Sequence, residues 1–423
     1  MHTVMATGMV VARTWGMGAV VSAVQSKQSA SVANMPAQLN SLTGLRWVAA
    51  FMVFLTHALQ DPVSVPPGGL GEAINATVVM AGSVGVSVFF VLSGFVLTWS
   101  VRTSDTAAKF WRRRFFKIYP NYLVAFGVAV LFIAWMGASV GYPSLGEQAS
   151  AVVPQLLLLQ AWSSDLGISA AFNTVGWTLS IEAMFYLCFP FLLVLLNRIR
   201  PERLWYWVGG MVVLIFCFPQ LTRLLPAGEP VFWGLNNWEM WFVYMFPLTR
   251  MAEFVIGILL ARILLTGKWI NLPLWAAALV FVAGYVVMLN VPTLYAIAAA
   301  TIIPIILLIA AAATVDIRGR RSLLATRPMV WLGNISYAFY LLHVFAITLV
   351  FYVIGLDFQA TSLSAVGFFA VSLALAVVAS WLLYELVEKP IQRRFATKRE
   401  RPGPLARPVT DPAVPQPQGG SLQ

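Results

Sequence analysis

Two ionisable side chains share one apolar segment near the start of the chain, LTGLRWVAAFMVFLTHA. Arg46 and His57 are three helical turns apart, so both side chains project from nearly the same helix face. Along the axis they are separated by about 16 Å, at about 1.5 Å per residue. A cation and a titratable imidazole at this spacing suit a long ligand with an anionic head and a reactive tip. The alternative is a snorkelling arginine anchor and a hydrogen-bonded structural histidine.

A basic cluster precedes a second apolar segment, in KFWRRRFFKIYPNYL. Arg112, Arg113, Arg114 and Lys117 alternate there with aromatic residues, and Pro120 is expected to break the helix. Several guanidinium groups at a membrane face bind anionic phosphates well, either those of lipid headgroups or those of a nucleotide-bearing cofactor. Marking the topology of the chain would need fewer cations, so the pattern favours phosphate contact.

Acidic residues also occur inside apolar segments, where a charge is costly. Glu182 lies in WTLSIEAMFYLCFP and should find an imidazole or guanidinium partner, or be protonated. Arg250 and Glu253 are three residues apart and can neutralise each other across one helical turn. Glu385 comes at the end of the last apolar segment, in YELVEKPIQRRF.

Histidine chemistry has few candidates in this chain. The sequence holds three histidines, and only His57 and His343 lie in apolar segments. His343 follows Ser336 in LGNISYAFYLLH.

Ser93 and Gly94 belong to a different run, GSVGVSVFFVLSGFVLTWS, whose small residues let neighbouring backbones approach closely. That run is either a thin wall beside a substrate channel or a plain helix-packing surface.

Composition shows which kind of fold must position these residues. Only 10% of the 423 residues are charged, against about 25% in an average soluble protein, while 60% are hydrophobic. This balance excludes a cytosolic enzyme, a disordered protein and a DNA-binding domain, because too little polar surface is available to cover the exterior. The two cysteines, Cys188 and Cys217, lie in apolar stretches and predict neither a disulfide framework nor a metal site.

Stretches of about 20 mostly apolar residues predict membrane-spanning helices. Ten such spans are predicted, at 42–60, 76–100, 119–140, 176–197, 204–222, 240–261, 271–289, 291–313, 329–354 and 362–387. A weaker run at 151–162 is too short and is interpreted as interfacial or re-entrant. Basic residues cluster at five places: 102–117, 198–203, 262–268, 318–327 and 389–401. With the N-terminus inside, ten spans bring all five clusters to the cytoplasmic side, as the positive-inside rule requires. The predicted fold is therefore an all-α integral membrane protein of about ten transmembrane helices, with both termini cytoplasmic.

The two ends of the chain differ in composition from this membrane domain at 39–395. Residues 1–38 contain no acid and are either a targeting segment or an over-extended start ahead of Met35, of which we favour the second. Residues 396–423 are rich in proline, glycine and charge, which predicts a disordered cytoplasmic tail.

Together these segments resemble the integral-membrane acyltransferase-3 family, whose members move acyl groups onto sugars and other hydroxyl-bearing acceptors. Six segments in the family's order carry the resemblance between about residues 40 and 395: the Arg46/His57 pair, FFVLSGF at 89–95, RRFFKIYP at 113–120, WTLSIE at 177–182, LGNISYAFYLLH at 332–343 and YELVEKP at 384–390. Some segments look similar to actinobacterial members, which acylate antibiotic sugars or surface glycans.

The resemblance implies a role for each matching residue. His57 would be the catalytic histidine, Arg46 its motif partner, and Glu182 part of the motif-bearing site wall. The mechanism we predict from these residues makes Glu182 a third catalytic residue, which orients the imidazole or balances its charge. Contacts to acyl-CoA would come from the basic cluster, Arg112, Arg113, Arg114 and Lys117. The wall of the substrate channel would hold Ser93, Gly94, Tyr119, Ser336, His343 and Glu385.

The predicted function is therefore O-acyl transfer in the plasma membrane. Acyl-CoA, with an acetyl or other short acyl group, would be a co-substrate rather than a tightly bound cofactor. The acceptor would be a hydroxyl of an antibiotic sugar or surface glycan, and His57 would be the general base. The alternative is a transporter or lipid flippase that uses Arg46, His57 and Glu182 as a substrate or proton path. A membrane glycosyltransferase finds little support, because only Asp61 and Glu72 could hold a lipid-phosphate sugar in the first external loop.

Overall fold

The structure is a computed structural model that describes residues 35–36, 38–59, 69–101, 106–355 and 361–396. The predicted N-terminal extension and C-terminal tail lie almost entirely outside these residues. Helices make up most of the described residues, which contain no strand but one isolated bridge between Pro230 and Asn236. The main helices are α1 (Asn40–Leu59), α2 (Gly69–Val78), α3 (Ala81–Trp99), α4 (Ala107–Met136), α5 (Trp177–Asn197), α6 (Leu204–Leu221), α7 (Pro247–Leu265), α8 (Leu274–Met288), α9 (Ala299–Ile317), α10 (Arg327–Ile354) and α11 (Ser362–Leu383).

The helices confirm an all-α membrane protein. In the described part of the chain, eight helical stretches are long and apolar enough to cross a bilayer. The two other predicted spans coincide with α7, which carries three charged residues, and with α8, which has only 15 residues. The number of crossings and the side of the termini stay predictions. Pro120 does not break its helix as expected, since α4 continues through it. Helices in lipid tolerate proline where neighbouring groups satisfy the freed backbone.

Helix α7 lies at the centre of the bundle and contacts α3, α5, α6 and α9. Almost all of its residues are buried. Its backbone touches that of α3 at two glycines: a Cβ atom on Gly94 would lie 2.1 Å from the carbonyl oxygen of Phe254, and one on Gly257 would lie 2.0 Å from that of Val91. Small residues are what permits such a close approach of two membrane helices.

The charged pair of α7 is buried beside this contact. Arg250 and Glu253 form an ion pair at 3.1 Å, and each side chain is almost fully buried. Arg250 also donates to the Ser87 hydroxyl at 3.1 Å, and its guanidinium lies 5.1 Å from the centre of the Phe90 ring and 5.8 Å from that of Tyr244. The two charges neutralise each other across one turn, as their spacing predicts.

The basic segments meet at one end of the bundle. Arg262 donates to the carbonyl oxygen of Ile199 at 2.9 Å, which joins the ends of α7 and α5. The rings of Phe116 and Phe395 stack at 4.8 Å, which joins α4 to the end of the described chain. We call this the basic end; it holds residues 109–117, 198–203, 262–268, 318–327 and 389–395. Helix α1 begins at the basic end, so His57, in its last turn, lies towards the opposite end.

The weak apolar run 151–162 does not form a long helix. It folds into short helices of three to five residues, held by buried amide side chains. Gln155 accepts a hydrogen bond from the Tyr122 hydroxyl at 2.8 Å, and Gln160 donates to the carbonyl oxygen of Gly176 at 2.9 Å. These bonds place the first turn of α5 against α4, because buried polar groups need partners.

The break between α2 and α3 is bridged by a side chain of α1. The Thr56 hydroxyl donates to the carbonyl oxygen of Val78 at 2.8 Å and accepts from the amide of Gly82 at 2.7 Å. Both backbone groups would otherwise lack partners at the chain break. Since Thr56 precedes His57, the same contacts hold the imidazole at a defined depth in the bundle.

Candidate active site

His57 is held by a backbone carbonyl of its own helix. Its Nδ1 atom lies 2.9 Å from the carbonyl oxygen of Val53, one turn earlier. Because a carbonyl oxygen can only accept, the Nδ1 atom carries the proton of the neutral ring. The Nε2 atom is then left with a lone pair. A neutral imidazole with this tautomer is ready to take a proton from a ligand.

A second imidazole lies directly behind His57. The ring centres of His57 and His343 are 5.2 Å apart, and His343 is fully buried. The Nδ1 atom of His343 lies 3.1 Å from the carbonyl oxygen of Phe339 and 2.9 Å from that of Tyr340. Its Nε2 atom has no hydrogen-bond partner among the described residues. His343 is thus also held by its own helix and packs as the wall behind the partly exposed His57.

Three adjoining cavities connect the basic end with His57. The first, about 50 Å³, is the basic cavity, and its polar lining residues are Arg46, Ser93, Arg114, Lys117, Glu182 and Tyr186. The middle cavity, about 60 Å³, shares five lining residues with it, among them Arg46, Lys117 and Glu182. The histidine chamber, about 210 Å³, contains His57 and shares Val86 and Tyr340 with the middle cavity. Arg46 and His57 therefore lie at opposite ends of one row of cavities.

Positive charge dominates the basic cavity. Arg46 and Lys117 form no hydrogen bond or ion pair with any residue that the structure describes. The guanidinium of Arg114 lies 5.8 Å from the centre of the Tyr186 ring, and its Nε atom is buried without a described partner. Glu182 is the one carboxylate that lines this cavity. Three cations against one carboxylate, with donor groups unsatisfied, make a site for an anion.

Glu182 belongs to the basic cavity rather than to His57. Its carboxylate accepts hydrogen bonds from the Ser93 hydroxyl at 3.2 Å and from the Tyr186 hydroxyl. Val53, not Glu182, occupies the Nδ1 side of His57. The expectation that Glu182 orients the imidazole therefore does not match this geometry. The carboxylate instead lies among the three cations and offsets part of their charge.

Comparison with known proteins shows the family of the chain. Residues 39–385 match the family model described as an acyltransferase domain. The chain belongs to this acyltransferase family. It is 41% identical to acyltransferase MdmB of Streptomyces mycarofaciens, over 89% of this chain and 97% of the relative. This acyltransferase is an enzyme of the membrane, and the family assignment favours catalysis over the transporter alternative.

The names of two more distant relatives refer to carbohydrate polymers. The exopolysaccharide production protein ExoZ of Rhizobium meliloti is 29% identical over 76% of this chain and 93% of its own length. The peptidoglycan O-acetyltransferase OatA of Listeria monocytogenes is 24% identical over 73% of this chain and 49% of its own length. No solved structure matches the chain.

The other residues predicted for the site of this acyltransferase lie outside the three cavities. The exposed Arg112 and the half-buried Arg113 line none of them. Tyr119 donates to the carbonyl oxygen of Leu156 at 2.9 Å and thus holds the short helices after α4. Gly94 forms the contact with α7 described above.

Two further predicted residues bind partners within one helical turn of themselves. Ser336 donates to the carbonyl oxygen of Gly333 at 2.8 Å and is buried. Glu385 pairs with Lys389 at 2.6 Å, and about a third of each side chain is exposed. Neither residue lines a cavity described above.

Aromatic residues that the sequence analysis did not assign to the site form much of the histidine chamber. They include Trp177, Trp233 and Tyr244, with Trp177 and Tyr244 packed at 4.6 Å between ring centres. Trp233 has a φ of 59°, a left-handed backbone conformation that is unusual for a bulky residue. Aromatic residues are frequent throughout this chain, so composition does not distinguish these three. Trp177 and Tyr340 do lie in segments that carry the family resemblance, 177–182 and 332–343.

Proposed function

We propose that this acyltransferase moves an acetyl or other short acyl group from acyl-CoA to a hydroxyl of a sugar-containing acceptor. The row of cavities between the basic end and His57 is the observation that carries the proposal. An extended donor with an anionic head and a reactive thioester matches a passage with cations at one end and a neutral imidazole at the other.

The basic cavity supports a phosphate-bearing donor. Arg46, Arg114 and Lys117 supply unsatisfied guanidinium and ammonium groups, and such groups form strong hydrogen bonds with phosphate. The basic and middle cavities are small, at about 50 and 60 Å³. Cavities of this size suit the extended, ring-free arm of an acyl-CoA better than a ring system. The thioester would then reach the histidine chamber while the phosphates stay at the basic end.

The histidine chamber supports a ring-shaped acceptor. At about 210 Å³ it is larger than either neighbouring cavity. Trp177, Trp233 and Tyr244 present rigid, largely apolar surfaces on which the face of a sugar ring can pack. The names of the Listeria and Rhizobium relatives, which refer to peptidoglycan and exopolysaccharide, point to the same class of acceptor.

The chemistry proposed for His57 is general-base catalysis. Its free Nε2 lone pair takes the proton of the acceptor hydroxyl while the hydroxyl oxygen attacks the thioester carbonyl carbon. The C–S bond then breaks, and the imidazolium returns its proton to the departing thiolate. A positioned base of this kind contributes roughly 10²–10⁴-fold to the rate.

Release of free CoA thiol tests the proposal. The purified protein in lipid nanodiscs would receive acetyl-CoA and a panel of methyl glycosides as acceptors. We expect acceptor-dependent thiol release, and we expect His57→Gln to lower it roughly 10²–10⁴-fold. Glutamine has a similar size and can still donate to the Val53 carbonyl, so the comparison isolates the lost base. Full activity of His57→Gln would contradict its role, and no release by folded wild-type protein would contradict acyl-CoA as donor.

A further inference from the structure

We propose that Tyr340 donates a hydrogen bond to the carbonyl oxygen of the acyl thioester and to the oxyanion that forms during transfer. The inference rests on the proposed function, because it requires an acyl donor in the middle cavity and a base at His57. It assigns Tyr340 as the group that stabilises the negative charge developing on the carbonyl oxygen. Neither His57 nor the basic cavity supplies such a group.

Tyr340 lies where the two halves of the reaction must meet. The middle cavity and the histidine chamber share only Val86 and Tyr340 among their described lining residues. A donor that enters from the basic end and an acceptor in the chamber can react only at this junction. Since Val86 is apolar, Tyr340 is the shared residue that can donate a hydrogen bond there.

The Tyr340 hydroxyl can change partners without leaving another group unsatisfied. It lies 3.0 Å from the Thr178 hydroxyl, inside the bundle. The Thr178 hydroxyl also lies 2.9 Å from the carbonyl oxygen of Val175, which accepts its single proton. Thr178 therefore keeps a hydrogen bond when Tyr340 turns its proton toward a ligand. A buried hydroxyl with this freedom is suited to bind an oxygen that appears only with substrate.

Neighbouring rings fix the position of Tyr340 relative to the base. The Tyr340 ring centre is 5.8 Å from that of Phe89 and 5.9 Å from that of His343. His343 in turn is 5.2 Å from His57. The hydrogen-bond donor Tyr340 and the base His57 thus lie on either side of the junction, and the buried ring of His343 contacts both. A hydrogen-bond donor held in position stabilises a developing charge well, because it need not move when the charge forms.

Acyl transfer at this junction passes through a tetrahedral oxyanion. The acceptor hydroxyl loses its proton to the Nε2 atom of His57 while its oxygen forms a bond to the thioester carbon. The carbonyl π electrons move onto the carbonyl oxygen, which accepts the Tyr340 hydrogen bond. Collapse of this oxyanion breaks the C–S bond, and the thiolate takes the proton from the imidazolium. Tyr340 keeps its own proton throughout.

A buried tyrosine of α4 offers a matched control. The Tyr122 hydroxyl donates to the carbonyl oxygen of Gln155 at 2.9 Å, and the residue is buried. Tyr122 lines none of the three cavities. Removing this hydroxyl therefore deletes a buried tyrosine hydrogen bond without changing a cavity wall.

Three variants in nanodiscs test the inference: Tyr340→Phe, Thr178→Val and Tyr122→Phe. We expect Tyr340→Phe to lower kcat for acyl transfer roughly 10²–10³-fold with little change in KM for acetyl-CoA, as when one oxyanion donor is removed. Thr178→Val and Tyr122→Phe should stay within a few-fold of wild type. If Tyr340 only anchored α10 through Thr178, Thr178→Val would lose as much activity as Tyr340→Phe. Wild-type-like kcat of Tyr340→Phe would overturn the inference.

An infrared measurement separates a hydrogen bond to the substrate from a packing role, because packing alone would not shift the carbonyl stretch of the bound thioester. Acetyl-CoA labelled with ¹³C at the thioester carbonyl would be bound to each variant carrying His57→Gln, which prevents turnover. We expect a lowered carbonyl stretch with Tyr340 present, also in Thr178→Val, and loss of that shift in Tyr340→Phe. An unshifted band with Tyr340 present would overturn the inference. If acetyl-CoA does not bind, both the proposed function and this inference are overturned. If turnover needs His57 but not Tyr340, only this inference is overturned.

Discussion

At the scale of single residues, the site depends on hydrogen bonds that side chains make with their own helices. His57 and His343 both hold their Nδ1 protons on backbone carbonyls one turn earlier. A base oriented in this way needs no carboxylate partner. The consequence is that Glu182 is available for a different task, the compensation of charge in the basic cavity.

Lys117 should contribute to binding of the donor. Its ammonium group lines both the basic and middle cavities without a described hydrogen-bond partner. We expect Lys117→Met to raise KM for acetyl-CoA roughly 10–100-fold, with a smaller effect on kcat, because a charge-assisted hydrogen bond is worth about 1.5–3 kcal/mol. Arg112→Met is the matched control, since the exposed Arg112 comes from the same cluster and lines no described cavity. Equal effects of both variants on KM would contradict the assignment.

Glu182→Gln distinguishes charge compensation from catalysis. Glutamine can still accept from Ser93 and Tyr186 but removes the negative charge near three cations. If Glu182 only offsets this charge, an anionic donor should bind more tightly, with a several-fold lower KM for acetyl-CoA. Steady-state kinetics in nanodiscs measure both parameters. A large loss of kcat with unchanged KM would show instead that the carboxylate acts in the chemical step.

At the scale of helices, the contact between α3 and α7 holds the site together. Helix α3 provides Val86 and Ser93 to the cavities, and α7 is the buried helix against which α3 packs. The backbones touch at Gly94, where a methyl group has no room beside the carbonyl oxygen of Phe254. Distortion of this contact would therefore reach the cavity walls directly.

Gly94→Ala should destabilise the bundle by about 1–3 kcal/mol, the usual cost of overpacking. The new methyl group must push α3 away from α7, so acyl transfer should fall as well. Gly127→Ala on α4 is the matched control, because a Cβ atom there meets nothing within 4 Å. Thermal unfolding in detergent measures both variants. A Gly94→Ala protein as stable as Gly127→Ala would show that the two helices can separate at little cost.

At the scale of the whole molecule, the basic end and His57 lie towards opposite ends of the bundle, so the predicted orientation in the membrane can be tested. Positive-inside bias predicts that the basic end faces the cytoplasm. Arg320, at the basic end, and Asn290, at the end of α8, are both exposed and lie at opposite ends of the bundle. These positions permit a direct test of the predicted topology.

Cysteine labelling in intact cells measures the orientation. Cys188 and Cys217 would first be replaced by alanine, which leaves a background without thiols. We expect Asn290→Cys to react with a membrane-impermeant maleimide from outside, and Arg320→Cys to react only after the membrane is permeabilised. The reverse pattern would contradict the predicted orientation, and labelling of both from outside would contradict the placement of the two ends.

The sequence by itself determined the features that depend on local physics. Composition required a membrane protein, apolar length predicted where the helices lie, and helical periodicity placed Arg46 and His57 on one face three turns apart. The ion pair of Arg250 with Glu253 followed from a spacing of one turn. Each of these conclusions concerns residues within a single helix, whose geometry is known in advance.

Only the tertiary structure decided which side chains share a cavity. Lys117 and Arg114 enter the basic cavity while Arg112 does not, because packing of α4 against α5 and α10 selects one face of that helix. The separation of Glu182 from His57, and the position of Tyr340 between two cavities, involve helices more than a hundred residues apart in the chain. Such contacts depend on how helices pack, which local spacing and composition do not encode.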